Sequence, residues 1–131
     1  MTDVVLIYGS RTWTDREAIE LVVFGLERDT IIVHGGARGA DSLADEAAIL
    51  WGLTRRVYLA DWLKHGRAAG PIRNQTMIDK EQPTYAYGFR MPGESRGTDD
   101  MTRRLEVAGI PHEVVRAGGM PLPGFDEEMD S

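Results

Sequence analysis

The chain opens with an unbroken apolar run, Val4-Val5-Leu6-Ile7-Tyr8, that stops at Gly9. Apolar residues without polar alternation mark a strand buried on both faces, so this segment is expected at the centre of a sheet. Thr14-Asp15-Arg16-Glu17 reads as a capping box, with Thr14 capping a helix and Glu17 reaching back to it. Ile19, Val22, Val23 and Leu26 follow at helical spacing and give that helix one core face. A second apolar run, Thr30 to His34, leads through Gly35-Gly36-Ala37-Arg38-Gly39-Ala40-Asp41 into a second helix, with Leu43, Ala44, Ala47, Leu50 and Trp51 inward and Gly52 as its stop.

Arg55 to Leu59 is the third expected strand, followed by a longer loop from Ala60 to Gly70 that contains Trp62, His65 and Arg67. Gly70-Pro71 places a proline where a helix can begin, and that helix should run to about Glu81. Thr84 to Phe89 reads as the fourth strand, and Pro92 to Thr98 as a glycine-containing turn. The helix after it has Met101, Leu105 and Ala108 on one face and ends at Gly109; His112 to Val115 is a short last strand. Strands alternating with helical crossovers predict an α/β domain: one doubly wound sheet of about five mainly parallel strands with helices on both faces.

A length of 131 residues fits one domain, and 42% hydrophobic with 27% charged residues is ordinary globular usage. Residues 1–117 are expected to form it, with 118–131 a disordered acidic tail. The formal charge is −6, but four acids (Asp126, Glu127, Glu128 and Asp130) lie in that tail, and without them the body carries −2. A nearly neutral body has no general field for a polyanion, so nucleic acid is not the expected partner. No apolar stretch approaches a membrane span, and Met1 is followed by Thr2-Asp3 rather than a basic leader, which predicts a cytoplasmic protein that leaves membranes alone. Having no cysteine, the chain has neither disulfides nor thiolate chemistry.

In a doubly wound sheet, ligands bind beyond the carboxyl ends of the strands, where strand order reverses. The loops there pair glycine with arginine: Gly9-Ser10-Arg11, Gly35-Gly36-Ala37-Arg38-Gly39 and Ser95-Arg96-Gly97-Thr98, with Arg73 and Asn74 beside Gly70. Glycine lets backbone N–H groups approach an oxyanion, a helix N-terminus adds more, and arginine supplies a forked cation. Together these describe a phosphate site. Asp41 could equally cap the second helix, Trp13 and Trp62 could close a core edge instead of stacking on a base, and His34 reads first as a hydrogen-bonded structural imidazole. His34, His65 and His112 share no ligand spacing, so no metal is expected, and neither a Walker A sequence nor Gly-x-Gly-x-x-Gly points to a cofactor.

Five ordered motifs are Gly9-Ser10-Arg11-x-Trp13-x-Asp15, His34 to Asp41, Ala60-Asp61-Trp62, Ala69 to Gln75 and Ser95-Arg96-Gly97-Thr98-x-x-Met101. Over about residues 4 to 115 they resemble the YspA/cpYpsA-related branch of the SLOG superfamily. The resemblance implies a Rossmann-like fold, an origin in bacteria or their phages, and a nucleotide or ADP-ribose-related ligand. Relatives that dimerise make a homodimer plausible. The superfamily also holds phosphoribohydrolases whose pattern is Pro-Gly-Gly-x-Gly-Thr-x-x-Glu, and here Met101 stands at the position of the catalytic glutamate.

The leading expectation is therefore a binding module in which N–H groups of Gly35, Gly36 and Gly97, with Arg11, Arg38 and Arg96, hold phosphate while Trp13 or Asp41 meets base or ribose. The rival is an enzyme cleaving a nucleotide N-glycosidic bond, with Asp41, Asp99 or Asp100 activating water. Single-stranded DNA binding by analogy with DprA is a third reading.

Overall fold

In the computed structural model, which describes residues 2–117, strand β1 (Val4–Gly9) buries Val5, Leu6, Ile7 and Tyr8 together. It can do so because it is the middle of five parallel strands in the order β3-β2-β1-β4-β5, with β2 (Ile31–His34), β3 (Thr54–Val57), β4 (Tyr85–Arg90) and β5 (His112–Arg116). Side chains alternate across a strand. Val5 and Ile7 thus join Ile32 on the face covered by α1 (Arg16–Val23) and α2 (Ala40–Trp51), while Leu6, Tyr8 and Val33 meet α4 (Ala69–Glu81) and α5 (Arg96–Ala108) on the other. The expected architecture holds, and β1 is central.

Local details depart from the sequence reading for identifiable reasons. Asp15, not Thr14, caps α1: the Trp13 indole N–H donates to the Asp15 carbonyl at 2.9 Å, which carries the turn one residue further, and Asp15 Oδ1 then accepts from Ala18 N at 3.2 Å. On α2 the buried stripe is Ala40, Ala44, Ala47 and Ala48; these small residues bring the helix close to the sheet, and Leu50, about 200° round from Ala48, is 71% exposed. Trp51 is partly buried, its N–H bonded to the Leu26 carbonyl at 3.1 Å. Strand β3 begins one residue early and ends at Val57, with all four residues exposed because it is an edge strand.

The expected loop from Ala60 to Gly70 contains a short helix, α3 (Trp62–His65), and a 3-10 turn (Gly66–Ala68) before α4 begins at Ala69. Pro71 is the third residue of α4, within the turn whose N–H groups have no helical acceptor. The expected tail, 118–131, lies outside the described residues. Among the described residues no helix is long and apolar enough to cross a membrane.

Two glycines allow the loops at the carboxyl end of the sheet to cross. A Cβ on Gly9 would overlap the Phe89 carbonyl oxygen and lie 2.7 Å from the Ala40 Cβ, and Gly39, at φ +77°, sits against the carbonyls of Ser10 and Arg11. Backbone cannot yield as a flexible side chain can. Gly9→Ala should therefore cost about 2 kcal/mol or more, read as a fall of roughly 10 °C in melting temperature. A melting temperature within a degree or two of the parent would show that the crossing is looser than this.

Candidate functional site

Strand order reverses at β1, with β2 and β3 on one side and β4 and β5 on the other. Connections leaving the strands on either side of such a reversal diverge and open a crevice beyond the carboxyl ends. The crevice here is a cleft of about 380 Å³ between Gly9 to Thr12, the first turn of α5 and the start of α4. A second compartment of about 350 Å³, walled by Gly35 to Arg38 and Leu59, adjoins it, and the two share Arg11, Ala37, Trp62 and Arg73.

Ser10 ties the first loop to the fourth. Its buried hydroxyl accepts the Met91 N–H at 2.9 Å and bonds Ser95 Oγ at 2.8 Å, and Ser95 Oγ in turn donates to Thr98 Oγ1 at 2.8 Å. Ser95 holds the cap position of α5, yet with its hydroxyl so committed it makes no cap hydrogen bond to the helix. The N–H groups of Arg96, Gly97 and Thr98 have no intrahelical acceptor by geometry, so the cleft meets the positive, uncapped end of a 13-residue helix. Among the described residues, and apart from its chain neighbours and its own helix backbone, nothing lies within 4 Å of where a Gly97 Cβ would be. Arg96 lines this end and, among the described residues, pairs with exposed Glu94, which lines the cleft as well, at 2.9 Å.

The glycine-rich loop is organised in the opposite sense. Asp41 Oδ2 accepts the N–H groups of Gly35 at 3.1 Å and Ala37 at 3.2 Å, and His34 Nδ1 accepts that of Gly36 at 3.0 Å. The N–H groups of Gly35 and Gly36, expected to meet phosphate, are thus bonded inside the loop. Burial pushes the Asp41 carboxyl above its ordinary range, against the N–H groups of Ala37 and Gly35 and the neighbouring His34 and Arg73. Arg73 is shifted down by its own burial, which nearby Asp41 opposes. Its Nη1 donates to the Gly35 carbonyl at 2.7 Å and the Tyr58 carbonyl at 3.2 Å, and its Nε to Asn74 Oδ1 at 3.1 Å.

Of the expected ligand residues, Ser10, Arg11, Asp41, Arg73, Asn74 and Ser95 to Thr98 share the first compartment, and Gly35, Gly36 and Arg38 line the second. Gly9 also borders the cleft, but with Gly39 its role is the loop crossing. Trp13 is elsewhere: it is 2% exposed and packs edge-on against Phe89, ring centroids 5.4 Å apart, which leaves no face for a base. The aromatic residue at the site is Trp62, half exposed, with the Arg11 guanidinium 5.5 Å from its ring centroid. The strand-end position of the Ala60-Asp61-Trp62 motif was the available signal for it. Sequence reasoning also missed Tyr8 and Met77, which line the cleft beside Met101, because apolar residues on a central strand or a helix face read as core.

Two of the three candidate catalytic carboxylates, Asp99 and Asp100, are engaged elsewhere. Asp99 receives both prongs of Arg90, at 2.7 and 2.9 Å, which hold it below its ordinary range, and it does not line the cleft. Asp100 accepts from Asn74 at 3.0 Å and from Arg103 and Arg104 at 2.8 Å each. Burial alone would raise it, but the Arg104 and Asn74 hydrogen bonds prevail and it too is lowered. Met101, not a carboxylate, faces the cleft.

A model of the YspA, cpYpsA-related SLOG family matches residues 3–65. The Gene 61 protein of Mycobacterium phage D29 is 38% identical over 128 residues, covering 89% of this chain and 98% of that protein. The X-ray structure of DNA processing protein A (DprA) from Streptococcus pneumoniae superposes with a TM-score of 0.56 at 19% identity. The match covers 87% of this chain but only 59% of the DprA chain, and likeness at that identity concerns the fold.

Asp41→Ala should destabilise by about 2 kcal/mol, since two loop N–H groups lose their acceptor. Asp41→Asn, whose amide oxygen can still accept, should lose less in the same denaturant titration, and equal losses would show that charge rather than acceptor capacity matters there. Asp100, depressed in the fold, contributes stability that is present above the unfolded carboxyl range and lost as pH falls through its lowered value. Asp100→Asn should thus be less stable than the parent at neutral pH, with the gap closing in acid, and a pH-independent gap would contradict this.

Proposed function

Because the chain belongs to the YspA, cpYpsA-related SLOG family, we propose that it binds a phosphate-bearing, nucleotide-derived ligand, with phosphate at the first turn of α5 and the base towards Trp62. The observation that carries this reading is the uncapped start of α5: its N–H groups, open space at Gly97 and the Arg96 guanidinium meet in one cleft. A phosphate there gains hydrogen bonds from the helix N–H groups and a favourable helix dipole, while Arg96 would exchange its exposed Glu94 partner for it. Arg11 and Arg38 form no ion pair among the described residues, so the shared wall and the second compartment add cation character without a competing carboxylate on either residue.

Binding rather than turnover is favoured by the same accounting. Hydrolysis of an N-glycosidic bond calls for a carboxylate near the anomeric carbon. Asp99 and Asp100 are ion-paired away from the cleft; of the two acids that border it, Asp41 holds two backbone donors and Glu94 is paired with Arg96. A second reading, single-stranded DNA, draws on the half-exposed Trp62 beside Arg11, the pairing of aromatic face and cation that a nucleotide chain uses. DprA, the structural neighbour, is named for DNA processing.

Calorimetry with nucleoside monophosphates, ribose 5-phosphate and nucleosides tests the arrangement. Trp62→Ala should weaken a bound nucleoside monophosphate about tenfold through lost stacking, with little effect on ribose 5-phosphate. Gly97→Ala, whose Cβ tilts towards the helix N-terminus, should weaken both ligands while melting no lower than the parent. Silence of the whole panel with the intact protein would remove the small-ligand reading. Free base accumulating in the mixture would make the protein a hydrolase, and a salt-dependent shift of labelled oligonucleotides would favour the DNA reading.

A further inference from the structure

His34 ends β2 beneath the glycine-rich loop and is 2% exposed. Its ring is held at both nitrogens. Nε2 lies 2.7 Å from Asp45 Oδ1 on α2, the same oxygen that accepts from Arg55 Nε of β3 at 3.0 Å, and Nδ1 lies 3.0 Å from the Gly36 nitrogen. A backbone N–H can only donate, so Nδ1 must be the acceptor and the ring hydrogen must sit on Nε2, directed at Asp45.

The surrounding loop shows what this bond does. Gly35 and Ala37, on either side, donate to Asp41; the Gly35 carbonyl accepts from Arg73 and the Ala37 carbonyl from Ser42 Oγ. The Gly36 N–H is the one loop donor in this set whose acceptor is not a carboxylate, and Gly36, at φ +69°, walls the second compartment beside Arg38 and Leu59. Without Nδ1 the peptide before Gly36 has no group to face inward, and a glycine with positive φ is the residue whose backbone turns most easily.

We propose that His34 is the positioning residue of the glycine-rich wall of the cleft: Nδ1 fixes the Gly36 peptide and thereby the shape of the second compartment, while the Nε2 contact with Asp45 anchors the ring. The proposal rests on the reading of this cleft as the ligand site, and it can be separated from that reading. Asparagine places its amide oxygen near Nδ1, and glutamine places its amide nitrogen near Nε2, so each variant keeps one of the two contacts.

His34→Asn should keep the Gly36 amide protected from hydrogen exchange and keep affinity for AMP within about threefold, although loss of the Asp45 contact lowers its melting temperature. His34→Gln should keep more of the stability, lose the Gly36 protection and bind AMP about tenfold more weakly. In the parent protein, ¹⁵N spectra should show the Nε2–H tautomer. An Nδ1–H tautomer, or Gly36 protection that follows melting temperature through both variants, would overturn the proposal as a merely structural effect. If AMP fails to bind the parent protein, the site reading falls, while tautomer and amide exchange still decide the role of His34 in the loop.

Discussion

Three loops cross at Ser10, and the rest of the carboxyl face of the sheet depends on that crossing. The Ser10 N–H donates to the Phe89 carbonyl at 2.8 Å, its own carbonyl accepts from Trp13 and Ala40 at 3.2 Å each, and its hydroxyl joins Met91 and Ser95. The backbone can approach this closely only because Gly9 and Gly39 lack side chains. The N-terminus of α2 is thereby set against the end of β1, and the start of α5 is set across the cleft from both. Because Ser95 spends its hydroxyl on this junction, α5 begins without a cap. One set of bonds therefore both closes the fold at this end and leaves the helix start available.

The two glycine-containing loops thus come out with opposite character, although their compositions are alike. Around Gly35 to Ala37 the flanking residues satisfy the backbone, Asp41 from the first turn of α2 and His34 from the strand before it. Around Ser95 to Thr98 no acidic side chain among the described residues takes up the helix N–H groups: Glu94 pairs with the Arg96 guanidinium, Asp99 is drawn off by Arg90 on β4 and Asp100 by Arg103, Arg104 and Asn74. Whether a glycine-rich turn receives an anion is decided by where the nearest carboxylates are sent, and that depends on tertiary partners.

Much of the fold was legible because burial patterns report it directly. An unbroken apolar run such as Val4 to Tyr8, short and closed by a glycine, has to be covered on all sides, and it proved to be the central strand. The order of loops around the reversal point followed from topology. What could not be read were choices between near-equivalent residues. Thr14 and Asp15 both cap well, and the Trp13 bond to the Asp15 carbonyl selects the latter. Trp13 and Trp62 are equal as sequence symbols, but one follows a loop that folds back onto Phe89 and the other sits on a short helix over the cleft. Leu50 resembles a core residue, yet the alanine stripe of α2 rotates it outward.

The position of Met101 shows how such choices bear on chemistry. On α5 it falls one turn after Thr98, buried and facing the cleft beside Met77 and Tyr8. A carboxylate here would sit opposite the uncapped helix start and compete for the same positive end. A thioether makes no such demand. The neighbouring acids, 100° and 200° away around the helix, are turned to arginines on the outer side. None of the acids of α5 lines the cleft, so its helix start keeps its positive character apart from the exposed Arg96–Glu94 pair beside it, which suits an anion that is held.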